Sequence, residues 1–446
     1  MEAPTAADLC SPHAGRPLEA GGPGSDDGDG IGPRPAGGAV ISGGFAGTSR
    51  FGAAGAITSV TPLDDVFAAA YDGGGRALWV RRFGGTGIDH AFDGDVDAAG
   101  DSLITGTFAN TAAFGPFSLT SRGGTQPAYG DAFLLKLDPA GAPRWVRQIG
   151  GPGSDGGDEV AAGPGGEAFV IGDSDGDVTF SPRVRLSATG GRDAWVARYR
   201  PDGHVVWARS LGGPGWQQSH GVSADADRHA LVTGELRGAT RFGDIALTSQ
   251  GDRSDVFLAE LDRRGRVRWA QRFGGPGMDR GRGVDADGAG HVYFSGEFSG
   301  TIRLGPTTLT SAGGTDLFVA KATSAGRVLW AVRMGGPGDE IGPEIEVDPG
   351  GAVFITGTFA AQAQFGTRTL TAAGLQAAFV ARLTSRGRFT WVAGSGPGGF
   401  TTLGELAIAP GRVTVLGRYA GTATLGRFSL PAFGRTDMFV AQLPTS

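Results

Sequence analysis

Acidic side chains recur in this sequence at two fixed offsets, and each offset suits a different chemistry. After Gly-Gly-x-Gly turns an aspartate commonly follows, as at Asp26, Asp89, Asp155, Asp279 and Asp339. Carboxylates grouped with the backbone carbonyls of such turns form the donor set of a hard cation such as calcium, so Asp89, Asp155, Asp279 and Asp339 are candidate metal ligands. The same pattern also serves architecture, because glycine supplies positive φ and aspartate caps the turn. At the second offset, Asp93, Asp95, Glu159, Asp285, Glu344, Glu346 and Glu405 alternate with apolar residues such as Val284, Ala286, Ile345, Val347, Leu406 and Ile408. In a strand that alternation puts the acids on one face. There they concentrate cations or simply hold water.

Two places depart from these patterns. Within Gly212 to Gly221 the usual aspartate gives way to Trp216-Gln217-Gln218-Ser219-His220. An aromatic beside amide groups suits a sugar ring or a peptide, which makes Trp216, Gln217, Gln218 and His220 candidate ligand-binding residues. Further along, extra residues around Gln126-Pro127-Ala128-Tyr129 add Tyr129 to the same candidate surface. Both segments are connections, which also tolerate drift. His90 and His220 fall in turns read here as neighbours, two histidines without a third placed ligand.

Other chemistries find little support. Cys10 is the single cysteine, which leaves no disulfide partner, thiolate cage or redox pair. Asp285-Ala286-Asp287-Gly288 and Asp173-Ser174-Asp175-Gly176-Asp177 lack the terminal glutamate of a calcium loop at the required spacing. Gly172-Asp173-Ser174-Asp175-Gly176 matches a hydrolase serine string, but no helix is expected after it. No nucleophile, base and oxyanion donor converge, so no catalytic residue is assigned. The formal charge of -6 is spread along the chain and the basic residues form no stripe, so nucleic acid is not an expected partner.

The elements that would position these groups come from a repeat. Tryptophans at 79, 145, 207, 269, 330 and 391 recur every 61–66 positions. Ahead of each lies an apolar run, usually opened by aspartate, as in Asp131-Ala132-Phe133 or Asp255-Val256-Phe257, with a further run such as Ser102 to Phe108 before it. A weaker segment such as Gly283-Val284-Asp285-Ala286-Asp287 precedes that run through a Gly-containing hairpin turn. Four runs per unit make a blade with strands a to d, and seven units predict an all-β, seven-bladed β-propeller of antiparallel blades. Glycine at 83 of 446 residues would signal disorder if aperiodic, but here it marks turns. The last unit stops at Pro444 before any tryptophan strand, while Gly15-Arg16-Pro17-Leu18 resembles Gly75-Arg76-Ala77-Leu78. We therefore expect a tail over 1–14 and one domain over 15–446, with 15–22 as the outer strand that closes blade seven. The tryptophans pack between blades, each with the apolar residue four positions on, as Trp79 with Phe83.

Over 15–446, units such as Trp269 to Gly275, Asp285 to His291, Val292 to Phe298 and Asp316 to Lys321 resemble the bacterial SBBP group, the seven-bladed beta-propeller repeat proteins. The resemblance implies a secreted or cell-surface chain and brings no catalytic residues. The functional expectation is a non-catalytic binding or scaffold propeller, holding a protein or carbohydrate ligand through loops on one face. It is expected to be monomeric and to need no cofactor beyond an optional calcium ion. The alternative is an enzyme with its site at the channel mouth, such as a quinoprotein-like dehydrogenase, although those have adjacent cysteines that are absent here. No stretch reaches the roughly 18 apolar residues of a membrane span, and Met1 to His13 lacks the apolar core of a secretory signal. An extracellular or envelope location therefore requires a leader already removed, with the cytoplasm as the alternative.

Overall fold

The computed structural model describes residues 18–123, 130–372, 374–396, 400–425 and 428–445. Seven four-stranded antiparallel blades surround an axis. Blade one runs from inner strand a to outer strand d as Asp26–Pro33, Ala39–Phe45, Asp65–Tyr71 and Ala77–Gly85, and blade two as Asp89–Val96, Ser102–Phe108, Asp131–Leu137 and Pro143–Ile149. Blade three comprises Asp155–Gly163, Glu167–Ser174, Asp193–Tyr199 and Val205–Ser210, and blade four Trp216–Ala224, Ala230–Arg237, Asp255–Leu261 and Val267–Phe273. Blade five is Asp279–Ala286, Val292–Leu304, Thr307–Ala322 and Val328–Gly335. In blade six strand a is split into Glu340–Ile341 and Ile345–Val347, followed by Val353–Phe359, Ala377–Leu383 and Phe389–Gly394. Blade seven has Phe400–Ala409, Arg412–Ala420 and Asp437–Pro444, and its outer strand is the amino-terminal Leu18–Ala20, which pairs Leu18 with Val440 and Ala20 with Met438. Successive inner strands touch, and the last touches the first, so the ring closes without an open sheet edge at its seam.

Strands b and c are buried along most of their length because each blade is covered on both faces by its neighbours. Many of the turns between strands share one device, in which an aspartate oxygen accepts the N–H groups two and four residues on. Asp97 does this for Ala99 and Asp101 at 2.9 and 3.0 Å, and Asp138 for Ala140 and Ala142 at 2.9 Å each.

The connection from strand b to strand c, read from sequence as a loop, contains a small hairpin in every blade. Examples are Thr111–Phe114 with Phe117–Thr120 and Gln362–Phe365 with Arg368–Thr371. Each hairpin reaches back to the glycine doublet that ends the preceding outer strand: Ala112 pairs with Gly85, Gln364 with Gly335, and Arg50, Thr179 and Arg303 bridge to Gly21, Gly150 and Gly274. This explains the doublet. A Cβ on Gly85, Gly275 or Gly336 would overlap the carbonyl of Thr111, Thr301 or Gln362.

The tryptophans add a second clamp across each seam. The indole N–H of Trp79 donates to the Pro139 carbonyl at 3.1 Å, that of Trp145 to Pro201 at 2.9 Å, and that of Trp207 to Arg263 at 3.1 Å, always in the c–d turn of the next blade. A turn glycine at positive φ lies flat on the ring, Gly141 on Trp79 and Gly203 on Trp145, where a Cβ would strike the indole. Across the seam from blade seven to blade one, Leu18 takes the place of tryptophan beneath Gly75.

Candidate ligand site at the channel mouth

Strand a carries a bulge at the same place in most blades. The register slips between Gly28 and Gly30, Ala91 and Asp93, Gly157 and Glu159, Ser219 and Gly221, and Gly281 and Val284. A bulged residue leaves the ladder and its side chain is re-aimed. The residues released in this way are Asp29, Phe92, Asp158 and His220, with Arg282 in the wider slip of blade five. Four of them, Phe92, Asp158, His220 and Arg282, line a cavity of about 200 Å³ together with Glu159, Glu344 and Glu405. The bulge therefore builds a site from side chains of differing chemistry at one repeat offset.

Below the bulge the strand-a acids converge on the axis, as the alternation predicts, but several have a structural task. Strand a is the inner edge of its sheet, so some of its N–H groups have no ladder partner. Asp93 accepts from Val160 N at 2.8 Å, Asp95 from Ala162 N at 2.8 Å, Glu159 from Val222 N at 3.1 Å and Asp285 from Val347 N at 2.7 Å, each from another blade. Burial pushes Asp93 up to about 7 and Asp285 up to about 6. Burial, then repulsion from facing carboxylates, holds Glu159, Glu346 and Glu405 well above the ordinary range. Burial also lifts Glu344 to about 7, with Arg282 opposing.

The cations at the mouth are already engaged. Arg282 Nε lies 3.0 Å from Glu297 Oε1, and Arg280 Nε 3.1 Å from Glu235 Oε1. His220 Nε2 is 3.4 Å from Glu235 Oε1, yet burial keeps the imidazole below its usual value. His90 behaves oppositely. Burial disfavours its charge, but Asp29 at 2.8 Å and Asp64 at 3.6 Å push it up to about 10. Its ring lies 5.3 Å from that of Phe92, which is 39% exposed despite its place on the inner strand. Asp158 Oδ2 is buried without a hydrogen-bond partner, and burial raises the pKa of this group well above the ordinary range.

The sequence-derived candidates divide on this map. Trp216 is half-buried at the start of its strand opposite Arg237, Gln218 stands opposite Glu235, and His220 lines the cavity. Gln217 corrects the expectation of a mouth-facing amide: it is fully buried in the position that other blades give to aspartate, and neither amide atom has a partner. His90 and His220 are not in neighbouring turns, since they lie on the inner strands of blades two and four with blade three between them. Tyr129 lies outside the described residues. The serine of Gly172-Asp173-Ser174 sits within an extended strand, with no elbow.

The aspartates following the glycine doublets do not present their carboxylates to the mouth. Asp89, Asp155 and Asp279 are buried, and each accepts the N–H of the second doublet glycine, Gly85 at 2.6 Å, Gly151 at 2.7 Å and Gly275 at 2.8 Å. In blade six that acceptor is Glu340, at 2.9 Å from Gly336 N, and not Asp339, whose Oδ1 instead accepts from Thr315 N at 2.8 Å. Burial pushes Asp89, Asp155, Asp279 and Glu340 up to about 7 and Asp26 up to about 6. Among the described residues the grouping that could offer three metal ligands is Asp225, Asp227 and His229. It lies in the a–b turn of blade four, where Asp225 Oδ1 already accepts from Asp227 N at 2.9 Å and His229 N at 2.8 Å, the turn device described above. The bulge and the cavity it makes were missed from sequence, and the irregular residues Phe92, Asp158, His220 and Arg282 at one repeat offset were the signal for them.

Among the described residues no helix is long and apolar enough to cross a membrane. No family model matches the chain. An uncharacterized WD repeat-containing protein of Acanthamoeba polyphaga mimivirus is 21% identical over 373 residues, covering 67% of this chain, and the match spans 26% of that protein's length. Among solved structures, a protein of unknown function from Dyadobacter fermentans matches with a TM-score of 0.46 at 10% identity, over 97% of this chain and 100% of its own. A gluconolactonase from Xanthomonas campestris matches with a TM-score of 0.32 at 13% identity, over 77% of this chain and 96% of its own. The assignment as a seven-bladed β-propeller therefore stands on the chain's own strand pairing.

Proposed function

We propose that the chain is a non-catalytic binding propeller whose channel mouth takes a cationic side chain, an ammonium or guanidinium group, from a protein partner. The carrying observation is the cavity lining. Asp158, Glu159, Glu344 and Glu405 surround a space in which Phe92 offers an exposed ring, while Arg282 is committed to Glu297. An aromatic face beside carboxylates attracts a cation through both the ring quadrupole and the Coulomb field. Entry of the cation would also offset the repulsion that, after burial, holds Glu159 and Glu405 above the ordinary carboxylate range. Placement at a bacterial cell surface goes with the likeness to the SBBP repeat proteins and is part of the same proposal. A leader encoded upstream of Met1 would support it.

The test is calorimetric titration with short lysine- and arginine-containing peptides at about neutral pH. We expect binding that weakens about tenfold or more in Glu344→Gln/Glu405→Gln and in Phe92→Ala, and weakens again with salt. Binding of a glycan, lost in Trp216→Ala but indifferent to the two glutamates, would overturn the cation reading in favour of a sugar site around Trp216 and Gln218.

A further inference from the structure

We infer that the outer seam between blades three and four is a docking groove for an acidic, partly apolar peptide segment of a partner protein. Two adjoining cavities of about 630 and 510 Å³ meet there and share Arg209 and Ser210 of strand Val205–Ser210. These volumes fall in the range of ligand sites. One wall is the blade-three hairpin with Arg183 and Arg185, and the other is the blade-four turn with Arg263 and Arg264. All four side chains are exposed, and among the described residues none of them has a carboxylate partner. Nearby Arg266 and Arg268 are already paired, with Asp262 at 2.8 Å and with Glu260. Four unpaired arginines thus flank one seam of a chain whose net charge is -6.

The repeat supplies the control. The corresponding turn is Pro139-Ala140 in blade two and Ser324-Ala325 in blade five, and the hairpin tips of blades two and five carry Gly115-Pro116 and Gly305-Pro306. The seams after blades one, two and three share one arginine with a structural task, Arg81, Arg147 and Arg209, two positions after the tryptophan. Arg209 Nε donates to Gly265 O at 2.8 Å and its Nη2 to Arg264 O at 3.0 Å, while the Arg263 carbonyl accepts from Trp207 Nε1 at 3.1 Å and from Arg198 Nη1 at 2.5 Å. The turn that presents Arg263 and Arg264 is therefore pinned before any partner arrives, which lowers the ordering cost of binding.

Guanidinium groups match carboxylates and phosphates alike, so the floor of the groove decides between them. Trp207 is only 4% exposed and offers no platform for a base or a sugar. The floor and walls instead show Val184, Leu186, Val206, Ile245 and Val267, with Val206 43% exposed. Apolar side chains alternating with carboxylates fit that surface. The outermost strand, Val205–Ser210, has an edge that an extended segment can follow.

The experiment is fluorescence anisotropy with a short labelled peptide alternating glutamate and valine, set against its lysine–valine counterpart, an all-glutamate peptide, a single-stranded oligonucleotide and a heparin fragment. We expect the glutamate–valine peptide to bind most tightly, to weaken with ionic strength, and to lose about tenfold or more in affinity in Arg183→Gln/Arg185→Gln/Arg263→Gln/Arg264→Gln. Arg386→Gln, at the equivalent exposed turn of blade six, should leave affinity unchanged, as should Glu344→Gln/Glu405→Gln, which separates this groove from the channel mouth. Among the described residues the side chains of the four arginines make no structural bonds, so the quadruple variant should melt with the parent. Equal binding by the quadruple variant or by the lysine peptide would overturn the inference. Tighter binding of oligonucleotide or heparin than of the peptide would do so too, and would reassign the seam to phosphate or sulfate.

Discussion

Two rings of buried acids run around this propeller, and they behave differently. The ring at the blade junctions, Asp26, Asp89, Asp155, Asp279 and Glu340, stands at one repeat offset and binds the backbone of the glycine doublets. The ring in the channel is uneven. Asp93, Asp95, Glu159 and Asp285 tie one inner strand to another, whereas Glu344, Glu346 and Glu405 face the lumen and one another. Similarly acid-shifted carboxylates thus serve architecture where the backbone engages them, and at Glu344, Glu346 and Glu405 face the lumen without such a partner. Perturbed acidity alone would not have separated the two.

The comparison breaks or sharpens by experiment, beginning with the seams. Trp145→Ala removes a ring packed beneath Gly203 and a donor to Pro201, and we expect a loss of about 3–5 kcal/mol by urea unfolding. A loss under about 1 kcal/mol would mean that the seams rest on the hairpins alone. Gly275→Ala forces the Thr301 carbonyl aside and should cost about 3 kcal/mol in the same measurement. The two rings separate most directly in a pair of alanine variants. Glu340→Ala strands the Gly336 N–H and should cost about 1–3 kcal/mol. Glu405→Ala leaves no donor behind and should be neutral, or raise the melting temperature at about pH 8 by removing a repelling charge.

A smaller effect concerns pH. Asp89, Asp155, Asp279 and Glu340 titrate at about 7 in the folded chain and Asp26 at about 6, against about 4 when unfolded. The native state therefore holds protons more tightly. Their contribution is complete below about pH 4 and is lost as pH rises through about 6–7. The melting temperature should be higher at about pH 5 than at about pH 8, and Glu340→Gln, which keeps an acceptor but cannot ionise, should flatten that slope slightly. A melting temperature that climbs across this interval would contradict the protonated assignment of the junction ring.

Much of this was legible in the residues. Trp79 through Trp391 set the period, the Asp-opened runs set strand c, and the unit that ends at Pro444 called for a strand from the other end, which Leu18–Ala20 supplies. These signals are local and repeat many times. The hairpins were hidden because Thr111–Phe114 and Phe117–Thr120 are too short to stand apart from a loop. A bulge adds one residue without changing composition, so the turn of Asp158 into the cavity and the burial of Gln217 beside half-buried Gln218 left no mark in the alternation. Asp339 was preferred to Glu340 on chemical likeness, where position within the turn decides. The arginine seam joins residues about the hairpin of one blade to the turn of the next, and no linear pattern brings them together.

Blade seven differs from the rest in how it is held. Its outer strand is the short Leu18–Ala20, and beneath Gly75 of blade one Leu18 stands where an indole stands at the seams from blade one to blade six. That flank thereby lacks the donor clamp found across the seams from blade one to blade six. Such a ring opens like a bracelet at its clasp: amide exchange should start in blade seven and spread inward from there, while the arc of the other six holds its shape.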